Sequence, residues 1–282
     1  MFAPDLLAGQ HALITGGGTG LGRAIGERYL ALGADLTICG RRVEVLEATA
    51  AAMREGYPGR VVTTLGCDVR DPAAVEAMLD TIWQRQPLDI LVNNAAGNFL
   101  AQSHRLSVRA VDAVLGIVLH GSAYCTLGCG RRWIEAGRGG SVLSILTLSA
   151  LTGAAFTVPS AMAKAGVLAM TRSLAVEWGP HGIRCNAVAP GSFPTPGASA
   201  GLAPAGLERP APERTIPLGR AGERRELTDV CAFLVSGLAS YVTGECIAVD
   251  GGKQFLSGSA QNDTPTLLGW SDAQWDAVRA KR

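Results

Sequence analysis

The stretch Thr15-Gly16-Gly17-Gly18-Thr19-Gly20-Leu21-Gly22 decides the fold. It follows the short apolar run 12–15 and opens the amphipathic stretch 21–32, so it reads as a turn from strand to helix. Glycines there let the chain bend tightly and bring backbone N–H groups against a pyrophosphate at the helix start. A glycine pattern alone also fits a plain connection. Its place between the first strand and the first helix is what points to a dinucleotide.

The rest of the chain repeats that rhythm. Apolar runs at 12–15, 35–39, 61–67, 90–93, 141–146, 184–189 and 246–249 alternate with helical stretches at 21–32, 43–54, 73–84, 110–136 and 160–178. Runs this dense in Val, Ile and Leu suit strands buried on both faces, as a parallel sheet requires. The fold class is therefore α/β: a doubly wound parallel sheet, the Rossmann fold, in a single domain over residues 1–282. Residues 194–217, rich in Pro, Gly and Ala, read as a substrate lid loop. Residues 253–282 read as a C-terminal extension, in which Ser271-Asp272-Ala273-Gln274 is a capping box ahead of a short helix holding Trp275.

Composition narrows the function. The 282 residues are 48% hydrophobic with a formal net charge of +1, which offers no electrostatic footprint for nucleic acid or a membrane. The start MFAPDLLAGQ has no signal-peptide character, and no uninterrupted apolar run reaches membrane-spanning length. A cytoplasmic setting is expected. The seven cysteines are scattered, and only Cys125 and Cys129 lie close, at a spacing that suits one helix face. No metal site is expected.

The second strand speaks to the cofactor. It ends at Cys39-Gly40-Arg41-Arg42, where an NAD site would place a carboxylate for the ribose 2′-hydroxyl. Two guanidiniums instead suit a 2′-phosphate, which favours NADP(H).

Several motifs, in order, resemble the short-chain dehydrogenase/reductase family. They are Thr15-Gly16-x-x-x-Gly20-x-Gly22, Asp68-Val69, Asn93-Asn94-Ala95-Ala96-Gly97, Pro190-Gly191 with Thr195, and Asp250-Gly251-Gly252. The resemblance implies a cofactor site of Gly16, Gly18, Thr19, Gly20, Leu21, Arg41, Arg42, Asp68, Val69, Asn94, Ala95 and Lys164. It adds Pro190, Gly191, Phe193 and Thr195 beside the nicotinamide amide.

The catalytic pattern departs from the family's usual Tyr four residues before Lys. Here Ser160 precedes Lys164, one helical turn apart and on one face. A serine hydroxyl is a far weaker acid than a phenol beside Lys, yet it can donate to an oxyanion. Such a site suits charge spread over a conjugated enolate better than an isolated ketone.

The runs Asn94-Ala95-Ala96-Gly97-Asn98-Phe99-Leu100, Arg105-Leu106-Ser107 and Val158 through Gly166 resemble the 2,4-dienoyl-CoA reductases, which carry Ser before the Lys. The tail, with Ser257-Gly258 and Gln274-Trp275-Asp276, resembles the mitochondrial form. This implies NADPH-dependent reduction of a 2,4-dienoyl-CoA to a 3-enoyl-CoA. Ser160 and Lys164 would serve the oxyanion and ribose, Thr147 would replace the family's strand-end serine, and Arg70 and Phe99 would meet the substrate. In that alignment Ser149 falls where a Tyr donates the proton, His120 where an Asn stands, and Gly201 where a lid Arg contacts substrate. Ser149 and His120 are thus candidate proton relays. Two other readings stand beside this one: a carbonyl or 3-oxoacyl reductase or alcohol dehydrogenase of the wider family, and a non-catalytic NADP(H)-binding protein. By analogy the chain forms a homotetramer through helices 110–136 and 160–178.

Overall fold

The computed structural model describes residues 2–195, 211–256 and 269–279. Seven parallel strands form one sheet in the order β3-β2-β1-β4-β5-β6-β7. They are β1 (His11–Thr15), β2 (Asp35–Gly40), β3 (Val62–Gly66), β4 (Ile90–Asn93), β5 (Gly140–Ile145), β6 (Ile183–Pro190) and β7 (Cys246–Val249). Each matches an apolar run read from the sequence, within a residue or so at either end. β1 pairs with both β2 and β4, Ala12 lying beside Leu36 on one side and Ile90 on the other. Strand order therefore reverses between β1 and β4, where doubly wound sheets open a crevice.

Helices cover both faces. α1 (Gly20–Ala31), α2 (Val43–Gly56) and α3 (Pro72–Arg85) are followed by α4 (Val108–Leu115), α5 (Gly121–Glu135), the one-turn α6 (Ser149–Thr152) and α7 (Val158–Glu177). Neighbouring strand residues point to opposite cores. Ile14 joins Ile25, Tyr29 and Leu36 on one side of the sheet, while Leu13 joins Cys129, Trp133 and Val142 on the other. That two-sided burial is why the strands read as continuous apolar runs.

Two features depart from the sequence reading. The stretch 110–136 is not one regular helix: a π-helical turn at Gly116–His120 separates α4 from α5. Such a turn inserts a residue into the ladder, often near functional sites. Furthermore, the span Val108–Glu135 is long and apolar enough by composition to cross a bilayer. That differs from the expectation drawn from uninterrupted runs, although here α5 packs on β4 and α3, and α4 on α7. A further helix, Arg224–Val235, was not singled out from the sequence. A capping box of Glu223 and Glu226 opens it, and its Leu227 and Cys231 pack on the core beside α1. Half of the Ser271 capping box forms ahead of the helix Asp272–Arg279: Gln274 Oε1 accepts from Ser271 N at 2.9 Å, while the Ser271 hydroxyl donates to the same oxygen and Gln274 N donates to the Ser271 carbonyl.

Candidate active site

A cleft of about 470 Å³ opens at the C-terminal edge of the sheet, at the β1–β4 switch point. Its walls are tied together by Thr15 at the end of β1. The Thr15 hydroxyl donates to the Val92 carbonyl at 3.4 Å and accepts from the N–H groups of Asn94 and Ala95, both at 3.0 Å. Asn94 Nδ2 returns bonds to the carbonyls of Thr15 (2.9 Å) and Gly16 (3.2 Å). Glycine is required here: Gly16 sits at φ +66°, and a Cβ on Gly22 would stand 2.5 Å from Asn94 Nδ2 and 2.6 Å from the Gly16 carbonyl.

Gly16, Gly18, Thr19, Gly20 and Leu21 line the cleft beside the exposed N-terminus of α1. Arg41 and Arg42 form its rim and are exposed, where β2 hands over to α2. Asp68 and Val69 line the wall next to them. The Arg70 guanidinium grips the Asp68 carboxylate with both oxygens, Nε lying 2.9 and 3.0 Å away, and holds that carboxyl below the usual carboxylate range. Arg70 itself does not line the cleft; it stands behind Asp68 with its side-chain stem against Gly116 of the π turn.

The far end of the cleft gathers Thr147, Ser160, Lys164 and Thr195, together with Asn94 and Ala95. α7 supplies Ser160 and Lys164 one turn apart, both buried. Lys164 Nζ donates to the Ile145 carbonyl at the end of β5. Burial pulls its ammonium down to about 8, because the charged form loses water. Ser149 is joined to this group indirectly: its Oγ lies 2.5 Å from Thr147 Oγ1.

Five of the residues read from the sequence lie elsewhere. His120 is exposed on the outer side of the long helix, its ring centroid 6.2 Å from that of Tyr124, and it does not line the cleft. His120 closes the π turn, whose irregular spacing the sequence does not show. Phe193 is buried in the core, against Gly222. Phe99 packs on Val114, Val118 and Ala163. Pro190 and Gly191 end β6 beside β7, where Gly191 N donates to Val249 at 2.9 Å and a Cβ on Gly191 would meet Asp250. Most of the expected lid, residues 196–210 and Gly201 with them, and also Ser257-Gly258, lie outside the described residues.

One residue was missed. Asn98 lines the cleft, and its Oδ1 accepts from Phe99 N at 2.9 Å. That bond fixes which end of the amide is which, leaving the Nδ2 protons for a ligand. The signal was there, since Asn98 sits inside the run that carried the resemblance. Among the described residues no tyrosine lines the cleft, and the seven cysteines are free. Cys67, on the cleft wall, has its thiol pushed up to about 11 by burial, which keeps it unreactive.

The donor set fits a nicotinamide dinucleotide: a glycine turn with free helix N–H groups at its middle, cationic side chains at one end, and a buried ammonium among hydroxyls at the other. A family model described as Enoyl-(Acyl carrier protein) reductase matches residues 16–254. The chain belongs to the short-chain dehydrogenase/reductase family. As a member of that family it is an oxidoreductase that works with a nicotinamide cofactor.

Relatives within the family sharpen the comparison. A probable 2,4-dienoyl-CoA reductase 3 of Caenorhabditis elegans, (3E)-enoyl-CoA-producing, is 41% identical, covering 96% of this chain and 89% of its own. A probable 2,4-dienoyl-CoA reductase of Bacillus subtilis strain 168, (2E)-enoyl-CoA-producing, is 39% identical over 86% of this chain and 96% of its own. Among solved structures, a putative NAD(P) dependent gluconate 5-dehydrogenase from Beutenbergia cavernae, with bound NADP at low occupancy, has a TM-score of 0.82 and 30% identity. It matches 89% of this chain and 99% of that one. A putative short-chain alcohol dehydrogenase from Sinorhizobium meliloti 1021 has a TM-score of 0.80 and 33% identity over 89% and 98%.

Proposed function

We propose that this oxidoreductase uses NADPH to reduce a 2,4-dienoyl-CoA to a 3-enoyl-CoA. The observation that carries this reading is the make-up of the reacting end: a buried Lys164 among hydroxyls and the amides of Asn94 and Asn98, with no phenol among the described lining residues to protonate an isolated alkoxide. When bound, the nicotinamide supplies a hydride to the δ-carbon of the diene. The electron pair then moves through the conjugated carbons onto the thioester oxygen, and proton uptake at the α-carbon leaves the 3,4 double bond.

The chain's own groups have distinct tasks. Asn98 Nδ2 and the Ser160 hydroxyl donate to the thioester oxygen as charge grows there. Lys164, fixed by the Ile145 carbonyl, holds the ribose hydroxyls and adds a compact positive charge. The Thr147–Ser149 hydroxyl pair passes a proton inward through water. Arg41 and Arg42 hold the 2′-phosphate, which is the reason for preferring NADPH, and Arg70 meets the phosphates of CoA.

A carbonyl or 3-oxoacyl reductase of the family's usual kind would place a phenol beside the lysine, and among the described residues no tyrosine lines the cleft. A pure binding protein would gain nothing from an ammonium desolvated this deeply at the reacting end. We further propose a homotetramer in the cytoplasm, assembled on the exposed apolar face of α7 that carries Met162, Ala165, Ala169 and Val176. The test is NADPH consumption with 2,4-dienoyl-CoA in deuterated water. A 3-enoyl product labelled at the α-carbon is expected. Label at the γ-carbon with a 2-enoyl product would overturn the assigned protonation site, and turnover of 3-oxoacyl-CoA alone would overturn the reading.

A further inference from the structure

The loop between the Ser149 helix and the Ser160 helix holds a conformation its sequence does not favour. Phe156 has φ 62°, alone among the described non-glycine residues in being positive. A bulky side chain is strained there, and such strain persists where the surrounding structure enforces it. What enforces it is a bond from Ala101 N to the Phe156 carbonyl, at 2.9 Å. That bond ties the loop to the wall segment that begins at Asn98.

The tie leaves apolar groups facing water. Phe156 is 57% exposed, Leu151 41% and Leu100 38%. No charged residue stands between Ser149 and Ala163, nor between Asn94 and Ser103. The cleft is therefore polarised: Arg41 and Arg42 line one end, with Arg70 bonded to Asp68 beside them, and at the reacting end exposed Leu100 follows the lining residue Asn98 by two positions while Leu151 follows Ser149, the partner of lining Thr147, by two. Exposed apolar side chains gathered beside a cleft by such a tie mark a ligand or partner. Closeness along the chain to Asn98, Thr147 and Ser160, and the absence of charge, select an aliphatic chain attached to the group held there.

We propose that Leu100, Leu151 and Phe156 form an acyl-chain subsite, with the strained Phe156 ring reading chain length. This rests on the reading of the protein as an acyl-thioester reductase. Carbons beyond the δ-position lie along these side chains, and each methylene taken from water strengthens binding by up to about fourfold.

The test uses the NADP⁺-loaded full chain and acyl-CoAs, saturated and 2,4-dienoyl, from about six to about fourteen carbons. Affinity is measured by calorimetry, and kcat/KM with the dienoyl series. Phe156→Gly removes the ring while accepting the positive φ and keeping the Ala101 bond. Phe156→Leu restores apolar bulk. The wild type gains affinity with each added carbon; Phe156→Gly loses about tenfold at the longest chains and nothing at the shortest; Phe156→Leu recovers most of the loss. Equal loss at every length, or none at any, overturns the subsite. Wild type that binds the series with the expected slope but reduces no dienoyl-CoA overturns the proposed reaction and leaves the subsite standing. Wild type that binds no acyl-CoA overturns both.

Discussion

Thr147 Oγ1 and Ser149 Oγ lie 2.5 Å apart where β5 gives way to α6, so one hydroxyl donates to the other and the pair acts as a unit. Only Thr147 lines the cleft. Thr147→Val and Ser149→Ala are each expected to lower kcat by roughly a hundredfold, with NADPH affinity within about twofold. The double variant should be no worse than the poorer single one, since linked groups are non-additive. Losses that multiply in steady-state kinetics would show two independent donors instead.

Arg41 and Arg42 carry the cofactor preference. Removing either guanidinium costs a charge-assisted bond to the 2′-phosphate, so Arg41→Ala and Arg42→Ala should weaken NADPH binding by roughly ten- to a hundredfold. NADH binding should change by less than about threefold. Fluorescence titration with both cofactors checks this, and an equal effect on each would remove the basis for choosing NADPH.

Lys164 gives a stability signature with a defined sign. Burial lowers its folded value to about 8, against 10.5 for the free side chain. Between those values the unfolded chain binds more protons than the folded one, so this group's contribution to stability rises with pH. The buried cysteines, whose thiols are pushed upward, act in the opposite direction, so a comparison is needed. Lys164→Met should be the more stable protein below pH 8, by at most about 3 kcal/mol, and the gap should close towards pH 10.5. Denaturant melts of the cofactor-free pair measure it. A gap independent of pH would place the ammonium in water.

Gly22 supports the cofactor loop by lacking a side chain. A Cβ there would press on the Gly16 carbonyl and the Asn94 amide at once. Gly22→Ala should cost roughly 1–3 kcal/mol in a thermal melt and abolish tight NADPH binding, because backbone cannot give way as a flexible side chain would. An unchanged melting temperature would count against the clasp as described.

His120 lies outside the cleft, whereas Asn98 lines it. His120→Ala should leave kcat within about twofold. Asn98→Asp keeps an acceptor for Phe99 N but replaces the donor facing the cleft with a negative charge, so kcat should fall by roughly a hundredfold. The opposite outcome would return the histidine to the mechanism.

These assignments show where sequence was enough. The strands could be read because parallel strands need apolar side chains on both faces: Leu13 and Ile14 serve opposite cores, and no alternation hides the run. Glycine at 16 and 22 was legible because only glycine meets those contacts. Side-chain direction near the π turn was not, since the irregular spacing of the turn that His120 closes leaves no mark on its neighbours' apolar pattern. Phe193 and Phe99 show the same limit. A large ring next to a motif can face ligand or core with equal sequence support, and here both serve packing. The strain at Phe156 had no sequence signal at all, because it arises from a bond to Ala101, far away in the chain.

The Thr15 clasp has a kinetic consequence. Thr15, Asn94 and Ala95 join the two loops through protein groups alone, so that wall of the crevice is finished when the chain folds. A nucleotide meeting it has little left to organise there, and association is governed by encounter rather than rearrangement. Opening the clasp with Thr15→Ala would move that ordering into the binding step, turning a single fast phase in stopped-flow mixing into a fast phase followed by a slow one.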